Sequence, residues 1–126
     1  MNKGILTAQC NITTRQWNFD EHAIAGSSFT INFEFVSLDE AVVFNNLSFG
    51  VIVTKAGKVV YHRAFPLSGF KYISTDQQVL QSINVPVEPD VNHELLFWVD
   101  DSGLRTEESY LINVPSIEPY PDYEVQ

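Results

Sequence analysis

The feature that most constrains the fold is an alternation of apolar and polar residues with a period of two. It is clearest over residues 28–35, where polar residues separate large apolar ones, namely Phe29, Ile31, Phe33 and Phe35. Successive side chains of a strand point to opposite faces of a sheet. The alternation therefore predicts a strand with one buried and one exposed face.

Less regular runs of β-forming residues predict further strands over 12–19, 47–54, 59–65, 79–87, 93–100 and 106–114. The segments 55–58 and 100–103 are short and contain Gly57 and Gly103, so each predicts a hairpin between its flanking strands. In the run 93–100 both alternating sets are apolar, and we expect Trp98 in the core.

Two connections are less regular. Ser37 followed by Glu40 fits a capping box, which predicts one short helical turn over 37–44, with a simple loop as the alternative. Residues 66–77 are rich in Ser, Gly and Lys and are predicted to be an irregular connection that exposes Phe70 and Tyr72.

About seven short strands, recurring turn signals and no amphipathic helix of normal length predict an all-β fold, an antiparallel two-sheet sandwich. A closed barrel is the alternative. A chain of 126 residues has room for one such domain. We assign it to residues 1–114, followed by an extended acidic tail, 115–126, whose prolines disfavour helix and central strand.

The charge is unevenly distributed. Residues 1–87 contain six acids and six bases, whereas residues 88–126 contain ten acids and one base, Arg105, and so carry the whole net charge of -9. Such a segment repels phosphate, which argues against a nucleic-acid partner. It is interpreted either as a solvated acidic face or as a patch complementary to a basic protein surface.

The sequence contains few features that indicate a cellular compartment. The single Cys10 cannot form an internal disulfide. The apolar stretch at the N-terminus is only a few residues long, so we expect no secretion through a signal peptide. No run approaches the roughly 18–20 apolar residues that a membrane-spanning helix needs, and no membrane association is expected.

The sequence carries no recognisable catalytic or cofactor motif. His22, His62 and His93 lie on separate segments without the spacing of zinc ligands. Asp100 and Asp101 fit a hairpin turn and lack the spacing of an EF-hand loop. With no phosphate-binding loop or nucleophile motif, we expect no enzymatic activity, no cofactor and no metal.

Aromatic residues outside regular strand interiors are the candidates for protein binding. They lie near a strand end, in the 66–77 connection and in the tail, where two prolines accompany them: Trp17, Phe70, Tyr72, Pro119, Tyr120, Pro121 and Tyr123. For Trp17, core and surface positions are both open. Phe70 and Tyr72 could instead cover the end of the sandwich, and the tail could be a frayed end.

Residues 92–103, followed by 108–115 as a last strand, are similar to the final hairpin of immunoglobulin-like modules in tailed-bacteriophage structural proteins. Pro119, Tyr120 and Pro121 resemble the Pro-Tyr-Pro exit of such domains, although Asp122 and Tyr123 stand where a Ser-Trp pair commonly follows. The paired cysteines and corner tyrosine of immunoglobulin domains are absent. The resemblance implies an immunoglobulin-like sandwich and a place in a virion.

The expected function is therefore that of a non-enzymatic structural or adaptor protein of a phage virion. It would bind capsid or tail proteins, as capsid decoration or a tail component, and would be present in repeated copies or as a homo-oligomer made in the host cytoplasm. One alternative is a carbohydrate- or receptor-binding module, which requires Trp17, Phe70 and Tyr72 to converge on one surface. Another is a cellular protein-binding adaptor.

Overall fold

The structure is a computed structural model that describes residues 4–37, 42–73, 76 and 78–116, with the backbone alone described over 42–46 and 67–73. Eight strands follow one another along the chain: β1 Ile5–Asn11, β2 Gln16–His22, β3 Ser28–Val36, β4 Val42–Lys55, β5 Lys58–Ile73, β6 Gln78–Pro86, β7 Asn92–Asp101 and β8 Leu104–Asn113. The described residues contain no helix, so the predicted all-β fold is confirmed.

The strands form two four-stranded sheets. The first has the order β2-β1-β3-β6 and the second has the order β5-β4-β7-β8. All neighbouring strands are antiparallel except β1 and β3, which pair in parallel with Leu6 opposite Ile31. The chain passes between the two sheets three times, from β3 to β4, from β5 to β6 and from β6 to β7.

The core lies between the two sheets, as the alternation predicts. β3 alternates strictly, with Phe29, Ile31, Phe33 and Phe35 buried and the residues between them half-buried. Ring contacts join the sheets, since Phe33 lies 5.2 Å and Phe35 lies 4.9 Å from Phe49 between ring centroids. At ~1.5–3 kcal/mol for each large apolar side chain buried, this aromatic centre is a main source of stability.

Both predicted hairpins are present. Ala56 and Gly57 have φ of 54° and 80°, and Ser102 and Gly103 have φ of 54° and 95°. Positive φ at both central residues of a two-residue loop defines a type I′ turn, whose twist matches that of the flanking strands.

Two predicted ranges are wrong and one strand was missed. A strand was predicted over 12–19, but 12–15 form a turn in which the Asn11 side chain accepts the amide hydrogens of Thr13 and Thr14. Strand β1, before that turn, was not predicted. The connection predicted over 66–77 is strand as far as Ile73, because β5 continues along the first residues of β4.

The short helical turn predicted over 37–44 falls partly on residues 38–41, which lie outside the described residues. Its last part is strand, since Val42 and Val43 pair with Ile73 and Tyr72. The domain boundary predicted after residue 114 falls close to the end of the described chain. There Val114 is buried, and its carbonyl accepts the amide hydrogen of Asp90 at 2.7 Å.

Candidate functional site

Trp17, one of the candidate binding residues, lies in the core. It is 4% exposed, its Cα pairs with that of Cys10, and its ring lies 5.6 Å from Phe97 and 6.0 Å from Phe35 between centroids. The alternative of a surface position for Trp17 is therefore wrong. The carbohydrate-binding alternative required Trp17 on a common surface with Phe70 and Tyr72, and the buried position does not meet that requirement.

Phe70 and Tyr72 belong to the last part of β5, where the backbone of Tyr72 pairs with Val43 on β4. Strand β7 pairs with β4 only from Leu47 onward, so this end of the β4–β5 ribbon extends beyond β7. Pro119, Tyr120, Pro121 and Tyr123 lie outside the described residues.

Trp98 is on the outer face of the second sheet, and the expectation of a core position is wrong. Phe97 and Val99, its neighbours in β7, are fully buried and point inward, so the alternation places Trp98 outward. Its indole lies over Gly50, where an added Cβ would come 2.9 Å from Cζ2 of the ring. The missing side chain at Gly50 lets the half-buried ring lie against the sheet.

Further apolar side chains surround Trp98 on this outer face. Leu96 and Ile52 pair with each other across β7 and β4 and are half-buried, as Trp98 is. Leu111, on the edge strand β8 opposite Glu94, is 73% exposed. We call Ile52, Leu96, Trp98 and Leu111 the apolar face. A contiguous exposed apolar surface of this kind is typical of interaction sites.

Charged residues border the apolar face. Arg105 lies over the Trp98 ring, with its guanidinium carbon 4.3 Å from the ring centroid, and its Nε donates to Glu107 at 2.7 Å. Glu94 and Asp100 alternate with Leu96 and Trp98 along β7 and share their outward direction. Three carboxylates against one guanidinium give the border a negative charge.

The outer face of the first sheet has a different character. Register and alternation bring polar side chains together there: Thr7, Gln9, Asn18, Asp20, Asn32, Glu34 and Ser82. Some of them form hydrogen bonds with one another, such as Ser82 to Asn32 at 2.6 Å. Five of them, Thr7, Gln9, Asn18, Asp20 and Glu34, line a shallow depression of about 290 Å³ together with Phe19. A polar outer face is typical of a sheet that is covered on one side and faces water on the other.

Two buried side chains, those of His93 and Cys10, are candidates for chemical reactivity. His93 is 2% exposed, its Nδ1 lies 2.9 Å from the Val91 carbonyl oxygen, and its Nε2 accepts the amide hydrogen of Glu88. Burial raises the pKa of the Cys10 thiol to about 12, which keeps it protonated and unreactive near neutral pH. Neither residue has the surroundings of a nucleophile or general base.

The described part of the chain contains neither a metal-ligand cluster nor a membrane-spanning helix. No three histidine, cysteine or acidic side chains lie together as metal ligands would. No helix long and apolar enough to cross a bilayer occurs between residues 4 and 116 where the structure is described.

The sequence contains a signal for the apolar face. Leu96 and Trp98 are as apolar as the core residues they alternate with, and Ile52 has the same relation to Val51 and Val53. Neighbouring strands that are apolar on both faces indicate a sheet covered on both sides.

No family model matches this chain, and comparison with curated proteins and with solved structures found no similar protein.

Proposed function

We propose that this chain is a non-enzymatic structural or adaptor protein that binds another protein through the apolar face. The observation that carries the proposal is the difference between the two outer faces of the sandwich. One is polar and contains side-chain hydrogen bonds such as those of Ser82 to Asn32 and Gln9 to Glu34. The other exposes Leu111 and half-exposes Ile52, Leu96 and Trp98.

The composition of the apolar face suits a protein partner. Tryptophan is among the residue types that contribute most to protein–protein affinity, and Trp98 lies near the centre of the apolar face. Gly50 and Arg105 contact the two sides of Trp98, so the ring loses little freedom when a partner covers it.

The charges at the border of the apolar face indicate which residues the partner's surface should carry. Glu94, Asp100 and Glu107 would be matched by lysine or arginine side chains around an apolar centre on the partner. This agrees with the basic protein surface suggested by the excess of acids over residues 88–126. Those charges favour fast encounter with a basic surface and would repel nucleic acid.

The assembly that we propose is a tailed-phage virion, with the partner a capsid or tail protein and the chain made in the host cytoplasm. The resemblance of residues 92–103, 108–115 and 119–121 to immunoglobulin-like modules of phage structural proteins supports this placement. An all-β sandwich with one polar and one apolar outer face suits a subunit that lies on a larger particle and faces water on its other side.

Site-specific photo-cross-linking tests the proposal. A benzoylphenylalanine at position 111 should capture one protein in the particles or cells that contain the chain. The same group at Asn32, on the polar outer face, is the matched control and should capture none. The captured protein is then purified, and the dissociation constant of the complex is measured for the wild type and for Leu96→Ser.

A loss of affinity of about tenfold or more in Leu96→Ser, with Asn32→Ser unchanged, supports the proposal. Equal cross-linking from positions 111 and 32, or an unchanged affinity in Leu96→Ser, would overturn it. Far-UV circular dichroism of both variants shows whether they keep the strand content of the wild type.

A further inference from the structure

The two edges of the second sheet carry opposite charge. Within β5 all ionised residues are bases, namely Lys58, Arg63 and Lys71. Strand β8 holds two acids and one base, and that base, Arg105, is already bonded to Glu107. The charge left on the β8 edge is therefore that of Glu108.

Arg63 and Glu108 lie on the same side of this sheet. Arg63 pairs with the inward Val51, and Glu108 pairs with the inward Phe97, so both side chains project from the inner side at the two edges. Both are exposed, and neither forms an ion pair with any residue that the structure describes. The Arg63 guanidinium carbon lies 5.0 Å from the centroid of the Phe65 ring, but neither charge has an ionic partner in the described part of the chain, and both lie beside an unpaired strand edge.

The strand directions allow the two edges to meet. Every neighbouring pair in the order β5-β4-β7-β8 is antiparallel, so β5 and β8 run in opposite directions. A second copy shifted sideways in the plane of the sheet therefore brings its β5 antiparallel to β8 of the first. The unpaired amide and carbonyl groups of the two edges can then continue the hydrogen-bond ladder.

We propose that copies of this chain associate edge to edge, with β5 of one copy pairing with β8 of the next and Arg63 lying beside Glu108. The pairing concerns the sheet edges and leaves the apolar face uncovered, so it goes beyond the proposed function and neither depends on the other. The partner at each edge is a second copy of this chain.

The paired segment on β5 has clear limits. The register of β4 and β5 shifts so that Val60 has no partner on β4, and such a bulge bends the strand. Pro66 has no amide hydrogen to donate. Between them lies a regular segment centred on Arg63, and placing Arg63 opposite Glu108 sets Tyr61 opposite Tyr110. The segment between Val60 and Pro66 has five residues, which is close to the length of a typical strand.

Symmetric pairings are less favourable. Pairing β8 with β8 of a second copy would bring Glu107 and Glu108 against their own counterparts near the middle of the strand. Pairing two β5 strands would offer Arg63 no acidic residue, because every ionised residue of β5 is a base. Like charges facing each other across a strand pair destabilise it. Only the β5–β8 combination joins unlike edges, and such head-to-tail contacts produce a ring or a filament rather than a closed dimer.

The test is the mass of the full chain as a function of concentration, measured by sedimentation equilibrium at low salt. The wild type should form species beyond the dimer, and Arg63→Glu and Glu108→Lys should each weaken association about tenfold or more. Both positions are exposed, so both variants should fold. A mixture of the two variants should associate again, because each reversed edge then meets a complementary one. The double variant Arg63→Glu/Glu108→Lys should regain self-association by itself.

Amide hydrogen exchange locates the contact. Protection of β5 around Arg63 and of β8 should rise with protein concentration in the wild type and remain constant in Arg63→Glu. A wild type that stays monomeric up to its solubility limit would overturn the inference, as would single variants that associate like the wild type. Loss of binding by Leu96→Ser with edge association intact would confirm that the two proposals concern different surfaces.

Discussion

The Tyr110 hydroxyl on β8 donates a hydrogen bond to the Glu21 carboxylate on β2 and so joins the two sheets at one side of the sandwich. The opposite side has a similar contact, in which the Tyr61 hydroxyl of β5 lies 3.4 Å from the Asn84 carbonyl oxygen of β6. In both cases an edge-strand tyrosine connects sheets that otherwise meet through the core. The Tyr110 ring also packs 4.8 Å from that of Phe19.

Tyr110→Phe should lower the free energy of unfolding by about 0.5–1.5 kcal/mol, because it removes the bond to a charged acceptor and keeps the ring. Tyr61→Phe is the matched control and should cost less, since its hydrogen bond is long and exposed. Urea unfolding followed by tryptophan fluorescence measures both values. Equal effects of the two substitutions would contradict a special role for the Tyr110–Glu21 contact.

Stability should fall at alkaline pH. Burial raises the pKa of Cys10 from 9.0 to about 12, and burial together with the Glu21 hydrogen bond raises that of Tyr110 above its usual range. Both groups ionise more readily in the unfolded chain, so their contribution is complete below pH about 9 and is lost as pH rises toward 12. For the buried Cys10 the slope should approach about 1.4 kcal/mol per pH unit, and for the partly exposed Tyr110 it should be smaller, because solvent screens its interactions.

Urea unfolding between pH 8 and pH 11 measures that dependence. Cys10→Ala should reduce the slope from pH about 9 upward, and Tyr110→Phe should reduce it from pH about 10 upward. At pH 8 the Cys10 thiol should react with an aromatic disulfide reagent only as fast as the chain unfolds. Immediate reaction of the native protein, or a slope unaltered in Cys10→Ala, would be inconsistent with a buried protonated thiol.

Gly50→Ala should destabilise the fold by about 2 kcal/mol or more. A Cβ at this position would lie 2.2 Å from the Arg63 carbonyl oxygen, and backbone cannot move aside without disturbing the β4–β5 pairing. Gly57→Ala is the control, because Gly57 has a φ of 80° but open space around it, and its cost should be about 1 kcal/mol.

Thermal and urea unfolding compare these variants. Because the nearest atom to the added Cβ belongs to Arg63 and not to the Trp98 ring, Trp98→Ala should not rescue Gly50→Ala. A rescue would mean that the ring, rather than the backbone of β5, requires glycine at position 50.

Much of the fold could be predicted from the sequence wherever one alternating set was apolar and the other polar. Strand β3 has that property along its whole length, and its burial matches the prediction residue by residue. Strand β1 was missed because its inward residues include the small Ala8 and Cys10 beside an outward Ile5, so its alternation has low contrast. The end of β5 was missed because Pro66 and Gly69 suggest a loop, whereas pairing with β4 extends the strand.

The candidate site could be predicted less well, for a physical reason. In β7 both alternating sets are apolar, and a period of two does not say which set faces the core. The structure decides this through the register, in which Phe97 meets Val51 on the inside and Trp98 meets Gly50 on the outside. The rings of Phe35 and Phe97 contact Trp17 but lie far from it in the sequence, so nothing near Trp17 except Phe19 indicated a position in the core.

The central claim is that the apolar face binds a protein, and the contribution of Trp98 to that binding tests it most directly. The measurement is the dissociation constant of the complex with the protein captured from position 111, determined by isothermal titration calorimetry for the wild type, Trp98→Ser and Asn32→Ser. We predict that Trp98→Ser weakens binding by about 2 kcal/mol or more and that Asn32→Ser leaves it unchanged. Equal affinities of all three proteins would contradict the claim.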